Sequence, residues 1–540
     1  MRKITISALL LLSLIFVSCN EFLDVMPDNR TQLDTKEKVA KLLVSAYPGS
    51  SSWMIAEFSS DNTDEVIGSF QPGSEMDASL FFWKDVDQIA QDSPAAFWEV
   101  CYGAIATANQ ALAAIENIGN ADGNLNAQKG EALLARAFAH FKLSNIFCKA
   151  YSPKTSDSDL GIPYSEAPET TVLPKYQRGT VADVYAKIAR DIEEGFPLLD
   201  DSEYKNQAAK KYHFNKQAAA AFATRFYLYY GQNEKAIEYA NRVLPATNLQ
   251  SVLRNWNTLA KENDFKIRSQ NFINENNPAN LLLTVQSSLW QRVHGPYGTG
   301  AKYCHSRFLC QTETNESQGP WGDSKSMFAY KAFSYTGGSP KAQMLKYYEF
   351  FEYIDIVAGI GYPRMVQADF TIDEALLNRA EAKALLKDSI GALNDINAFL
   401  SVFTDTANNP VPVLSLEKIN SFYNIRYYYT PSGERWSPKK KLNPDFELES
   451  SHNPSNELVA STQENLIHCI LQLRRIVMVH EGLRWNDIKR YGIEVYRRMV
   501  TANFRASVYG EEFVLRKDDP RRALQLPKSV ISAGMEPNPR

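Results

Sequence analysis

Three kinds of side chain in this 540-residue chain could do chemistry: aromatic rings outside regular helical patterns, carboxylates in close pairs, and one cysteine near the start. A flat ring takes the C–H face of a sugar or the apolar side of a peptide. A few placed polar neighbours then supply the specificity that burial alone does not. Rings of this kind are Trp53, Trp83, Trp290, Tyr297, Tyr303, Trp321 and Trp436. Asp61 and Asn62, within Ser59-Ser60-Asp61-Asn62, could hydrogen-bond such a ligand, although an Asn so placed also satisfies a turn. Trp98 and Trp485 instead fall on apolar faces of predicted helices and read as core.

Catalytic patterns are weak. Glu313 with Glu316, or Asp85 with Asp87, could be proposed as acid pairs. Glycosidases need two carboxyls about 5 Å apart or wider, a separation that sequence spacing does not set. His480-Glu481 is not a zinc motif, because Arg484 stands where a second His would be needed. Gly295, Gly298 and Gly300 do not follow a strand and open a helix, as a dinucleotide loop requires. There is no Gly-x-Ser-x-Gly elbow and no Cys/His zinc spacing. The expectation is no catalytic residue, no metal and no cofactor, with a hydrolase as the remote alternative. Arg474, Arg475, Arg484 and Asp487 read as a buried structural ion-pair network at a helix junction.

Cys19 is the reactive position of a different kind. Met1-Arg2-Lys3 precedes an apolar run from Ile4 to Val17 and then Ser18-Cys19. That order makes a secretory signal, and the run is shorter than the ~20 residues a spanning helix needs. Phe16-Val17-Ser18-Cys19 resembles a bacterial lipobox, in which the thiol is acylated and becomes the new N-terminus. Each buried CH₂ of such chains adds ~0.8 kcal/mol of anchoring. An ordinary signal with an incidental cysteine is the alternative. Loss of residues 1–18 removes Arg2 and Lys3 and takes the side-chain charge from −4 to −6. With no basic patch, nucleic acid is not an expected partner. The five later cysteines, Cys101, Cys148, Cys304, Cys310 and Cys469, are too few and odd in number for a disulfide framework. Cys304 and Cys310 could pair or stay as buried thiols.

The elements that would position these residues are mainly helical. Pro94 to Ile118 is a helix signal, with Ser93 to cap it and Trp98, Tyr102, Ile105 and Leu112 at helical spacing. After a Gly/Asn-rich break, a second helix runs from about Ala127 to Phe147 with many small residues, and a third starts near Thr180. Asn215–Tyr230, a Gly231 stop and Glu234–Leu244 form a pair that returns at Thr371–Leu386 and Ile390–Leu400. Ala219/Ala375, Ala236/Ala392, Ile237/Leu393 and Asn241/Asn397 fall together at a fixed offset. Small residues at set places in paired helices are the mark of tetratricopeptide-like hairpins, which must stack to bury their faces. The last helices run from Glu464 to about His480 and from Arg484 onward. Segments about 50–93, 248–363 and 408–461 show little period and read as irregular, loop-rich insertions that would carry ligand binding. The expected organisation is a signal, 1–18, and a single domain, 19–540, with its helical scaffold over about 94–245 and 371–402 and a terminal helical part, 464–540.

Six motifs in order resemble the SusD/RagB family of surface lipoproteins. They are the lipobox followed by Phe22-Leu23-Asp24 and Pro27; Trp98-x₃-Tyr102-x₂-Ile105-x₃-Asn109; and Ala135-Arg136-Ala137-Phe138-Ala139-His140-Phe141 with Gly161-Ile162-Pro163-Tyr164. Then come Gly179-Thr180-Val181 with Val184-Tyr185, Tyr362-Pro363-Arg364 with Glu374-Ala375-Leu376-Leu377-x-Arg379-Ala380-Glu381-Ala382, and Arg474-Arg475-x₄-His480-Glu481-Gly482-Leu483-Arg484-Trp485-x-Asp487. His480 stands where the family has an aromatic. The resemblance implies a right-handed superhelix of helical hairpins with few short strands. It also implies a non-catalytic protein that is lipid-anchored through Cys19 to the cell outer membrane. Such a protein binds a nutrient, usually a glycan and sometimes a peptide, and caps a SusC-like TonB-dependent transporter. In the starch-binding member the stacking aromatics come from the regions that hold Trp83, Tyr297 and Trp321 here. Those three, with Trp290, Asp61 and Asn62, are the expected ligand-binding residues.

Overall fold

The computed structural model describes residues 32–540 apart from 69–72, 172–174, 205, 298–300, 336–339, 430–435 and 450–459. The predicted signal and Cys19 lie outside the described residues. The scaffold is mainly α, as the periodicity requires. Ser93 caps the helix Pro94–Ile118 by accepting from Ala96 N at 3.1 Å. Its partner, Asn126–Phe147, is buried almost all round. The next helix, Val181–Gly195, crosses it so closely that a Cβ on Gly130 would stand 2.7 Å from the Gly195 carbonyl oxygen. Arg136 locks the crossing with two bonds to Asp191, at 2.7 and 2.9 Å.

The two repeated hairpins are Lys216–Tyr229 with Asn233–Val243 and Ile372–Leu385 with Ser389–Phe403. Their matched alanines, Ala219, Ala375, Ala236 and Ala392, are buried in the packing. The hairpins stack on one another. Arg225 of the first donates to Glu374 of the second at 2.6 Å. Arg379 of the second reaches back to Asn241 Oδ1 at 2.8 Å. The equivalent Asn397 holds the outgoing chain instead, bonded twice to the Leu414 backbone. The terminal helix Thr462–Val477 packs on Ile372–Leu385. Of the ion-pair network read from the sequence, Arg474 meets Asp487 at 3.3 Å and is buried, but Arg475 and Arg484 turn to Asp61 instead, at 3.2 and 2.8 Å. Arg490, paired with Glu381 at 2.7 Å, is not part of that reading.

The 248–363 segment departs from the expectation. It contributes a three-stranded antiparallel sheet in the order Asn280–Ser287, Ile360–Thr371, Glu349–Asp355. Pro363 sits in the long strand because the Asn280–Ser287 ladder ends at Ser287↔Arg364, leaving that flank without a donor to lose. A second sheet joins distant parts of the chain: Asp64–Val66 pairs in parallel with Arg498–Val500 and antiparallel to Tyr303–Cys304. The five described cysteines are buried and free, so Cys304 and Cys310 are not paired. Burial pushes both thiols up to about 12. No described helix is long and apolar enough to cross a membrane.

Candidate ligand-binding site

Most of the expected binding residues turn inward, for a polar reason in each case. Trp83 follows the helix Glu75–Phe81 in a left-handed conformation, and its Nε1 donates to Ser59 O at 2.8 Å. The Arg497 guanidinium covers its ring at 4.0 Å from the centroid while bonding to the carbonyls of Phe58, Ser59 and Ser60. These are the last carbonyls of the helix Trp53–Ser59, where a cation is favoured. Trp321 Nε1 donates to Ser324 Oγ at 2.9 Å, and Trp290 Nε1 to His480 O at 2.8 Å. Trp53 and Tyr303 are likewise core, against Tyr347 and Phe81. A buried indole whose N–H is satisfied by protein offers no face to a ligand, so Trp83, Trp290 and Trp321 are not platforms.

Asp61 and Asn62 are also structural. Both Asp61 oxygens accept from Arg484, each at 2.8 Å, and Arg475 lies 3.2 Å away. Burial alone would raise the Asp61 pKa, but Arg475 and Arg484 outweigh it and hold the carboxyl well below its usual range. Asn62 bridges Glu57 and Arg475, at 3.1 and 2.8 Å. Glu313 is consumed by Arg475, Arg498 and Lys440. Glu316, Asp85 and Asp87 pair separately with Lys325, Arg540 and Lys528. None of the proposed acid pairs forms a two-carboxylate site.

Tyr297 differs. It is 48 % exposed and lines a cleft of about 640 Å³. Met54, Met76, Leu289 and Val293 form an apolar part of the wall, and Asp77, Gln88, Gln91 and Asp92 a polar one. A capping box positions this edge: Ser74 accepts from Asp77 N, and Asp77 accepts from Ser74 N. Asp92 has a left-handed backbone and caps the neighbouring loop by accepting from Leu289 N at 2.6 Å. Its other oxygen, and Gln88 Oε1, accept no hydrogen bond among the described residues. Burial lifts the Asp92 carboxyl to about 7 and raises Asp77 as well. Arg292, the one cation among the described lining residues, is bonded twice to Glu349, at 3.2 Å. The cleft therefore offers a ring and an apolar wall, with a polar wall in which Asp92 is buried.

A family model described as SusD-like, starch-binding and associating with the outer membrane matches residues 21–228. "SusD-like protein P2" of Formosa agariphila is 24% identical over 422 residues, covering 74% of this chain and 72% of that protein. The chain is similar to SusD-like proteins. Solved structures show the same fold. A SusD superfamily protein from Bacteroides thetaiotaomicron matches with a TM-score of 0.59 at 18% identity, over 94% of this chain and 100% of that one. A protein from Bacteroides vulgatus named "Putative sugar binding protein" matches with a TM-score of 0.63 at 18% identity, over 94% and 99%. The cleft-lining residues Gln88, Gln91, Asp92 and Asp77 are not singled out as ligand-binding residues by the sequence. For Gln88, Gln91 and Asp92 the signal is a polar-rich stretch just before the Ser93 cap, inside the 50–93 insertion.

Proposed function

We propose that this chain is a non-catalytic, lipid-anchored outer-membrane protein. In this reading it holds a nutrient glycan in the Tyr297 cleft and passes it to a SusC-like TonB-dependent transporter. The observation that carries the reading is the half-exposed Tyr297 ring in a cleft whose wall also holds Asp77, Gln88, Gln91 and Asp92. The ring stacks on the sugar face, and the polar wall takes its hydroxyls. Cys19 carries the anchor, and residues 19–540 act as one binding unit.

A peptide ligand is the second reading. It is favoured by Glu75, Asp77 and Asp92 in one cleft whose Arg292 is already tied to Glu349. An uncompensated set of carboxylates suits a ligand bearing lysine, arginine or a free amino terminus. Calorimetry against neutral oligosaccharides and against basic and acidic peptides separates the two. The glycan reading expects heat from a neutral sugar that Tyr297→Ala weakens. Binding of basic peptides alone, weakening steeply with salt, would replace it with the second.

A further inference from the structure

Past Ser287↔Arg364 the three-stranded sheet narrows to a bare arm. The strand Asn280–Ser287 ends there, and only Glu349–Asp355 and Ile360–Thr371 continue, as a two-stranded ribbon. Two strands alone are marginal in water unless something covers them. Phe351 and Tyr353 stand edge-to-face on one side of the ribbon, with centroids 4.9 Å apart, opposite Pro363 and Gly361. Phe350 and Tyr362 fall on the other side. All four rings are exposed. Exposure rises toward the turn, reaching 81 % at Ile356 and 99 % at Val357.

Polarity is ordered along the arm. At its base Glu349 pairs with Arg292 and Glu352 with Arg364, at 3.2 and 2.7 Å. The rings follow. The end, Ile354-Asp355-Ile356-Val357-Ala358-Gly359-Ile360, is apolar but for Asp355. That carboxylate is turned into the loop, where one oxygen accepts from Val357 N and Ala358 N, each at 2.9 Å. Gly359 takes the left-handed backbone that closes the turn. Charged, aromatic, then aliphatic is the order of water, interface and hydrocarbon at a bilayer. A folded protein partner covers one face of a ribbon. Here both faces and the turn are bare, and a fluid lipid phase surrounds all three.

We propose that the tip of this arm inserts into the lipid surface. The inference rests on the lipid-anchored reading above and adds a second point of contact to Cys19. Interfacial insertion reaches ~5–10 Å, or about two or three residues at ~3.3 Å each. That depth takes in residues 354–360 and leaves Tyr353 and Tyr362 at headgroup level. The turn amides capped by Asp355 need no water there. With no lysine or arginine in residues 349–363, attachment depends on apolar burial and not on anionic headgroups. Glu349 also lines the Tyr297 cleft, so the arm's length would set the height of the cleft above the membrane.

The test places the acylated protein, through its own anchor, on vesicles of phosphatidylcholine and phosphatidylethanolamine. A polarity-sensitive fluorophore is carried on Val357→Cys, or on Val413→Cys, an exposed apolar position outside the arm. The five described cysteines are buried, so the new thiol takes the label. The Val357 probe is expected to shift to the blue and to be quenched by spin-labelled acyl chains, equally at low and high salt. The Val413 probe is expected to do neither. Adding Ile356→Glu should return the Val357 probe to the Val413 level while the protein still floats with the vesicles. Floating protein whose Val357 probe emits as in water, is shielded only once another protein is added, or ignores Ile356→Glu overturns this proposal alone. Protein that does not float overturns the anchor as well.

Discussion

Trp83 and Trp321 look like binding residues in the sequence because each lies in a loop between helices, and a loop tryptophan has no periodicity to declare its face. The deciding facts are three-dimensional: a carbonyl from residue 59, a guanidinium from residue 497 and a hydroxyl from residue 324. Asp61 hides for a similar reason, since Arg475 and Arg484 lie over 400 residues away. The Arg474–Asp487 pair was legible because both partners sit in one short motif. Trp83→Ala and Trp321→Ala should each cost about 3–5 kcal/mol of stability, the usual range for a buried tryptophan. Urea unfolding checks this, and a midpoint unchanged from the parent would restore these rings as candidate surface platforms.

At the scale of elements, the helical hairpins were legible because burying one stripe forces a 3.6-residue period and small residues wherever two backbones meet. The sheet was not. Leu281, Leu282 and Leu283 are all buried across two register shifts, which erases alternation, and Gly361 and Pro363 interrupt the long strand. The Gly130–Gly195 crossing gives an element-scale prediction. Gly130→Ala would gain roughly 1 kcal/mol of helix propensity on an open surface. Here the new methyl meets backbone at 2.7 Å, and overpacking of that kind costs about 1–3 kcal/mol. The urea midpoint should therefore fall. A higher midpoint would mean the helices separate freely.

Across the whole molecule, buried histidines set the response to acid. His140 donates through Nδ1 to Arg136 O and accepts at Nε2 from Ser165 N, which fixes a neutral ring. His294 stacks on His480 with centroids 4.2 Å apart. Burial lowers His140, His294 and His305 to about 3. The unfolded chain takes up these protons near pH 6.5, so their contribution is complete above that value. It is lost at about 1.4 kcal/mol per pH unit for each group as pH falls towards 3. Glu57 and Asp92, raised by burial to about 7, act oppositely between pH 4 and 7 and offset part of the loss. Below pH 4 that offset ends, while Glu313, held low by Lys440 and Arg498 against the effect of burial, adds to the loss. The urea midpoint should drop steeply below pH 4; a flat midpoint down to pH 3.5 would contradict this. Anchoring belongs to the same scale. Cys19→Ser should yield folded protein that no longer fractionates with membranes or takes up labelled acyl chains, and persistent labelled membrane protein would refute the lipid assignment.

The most direct measurement is calorimetry of the unaltered protein and of Tyr297→Ala with whichever oligosaccharide the unaltered protein binds. Loss of the stacking ring should weaken binding by ~1–3 kcal/mol, the usual cost of truncating an aromatic anchor, with the urea midpoint unchanged. Equal affinity for the two proteins would show that the ligand does not sit in the Tyr297 cleft.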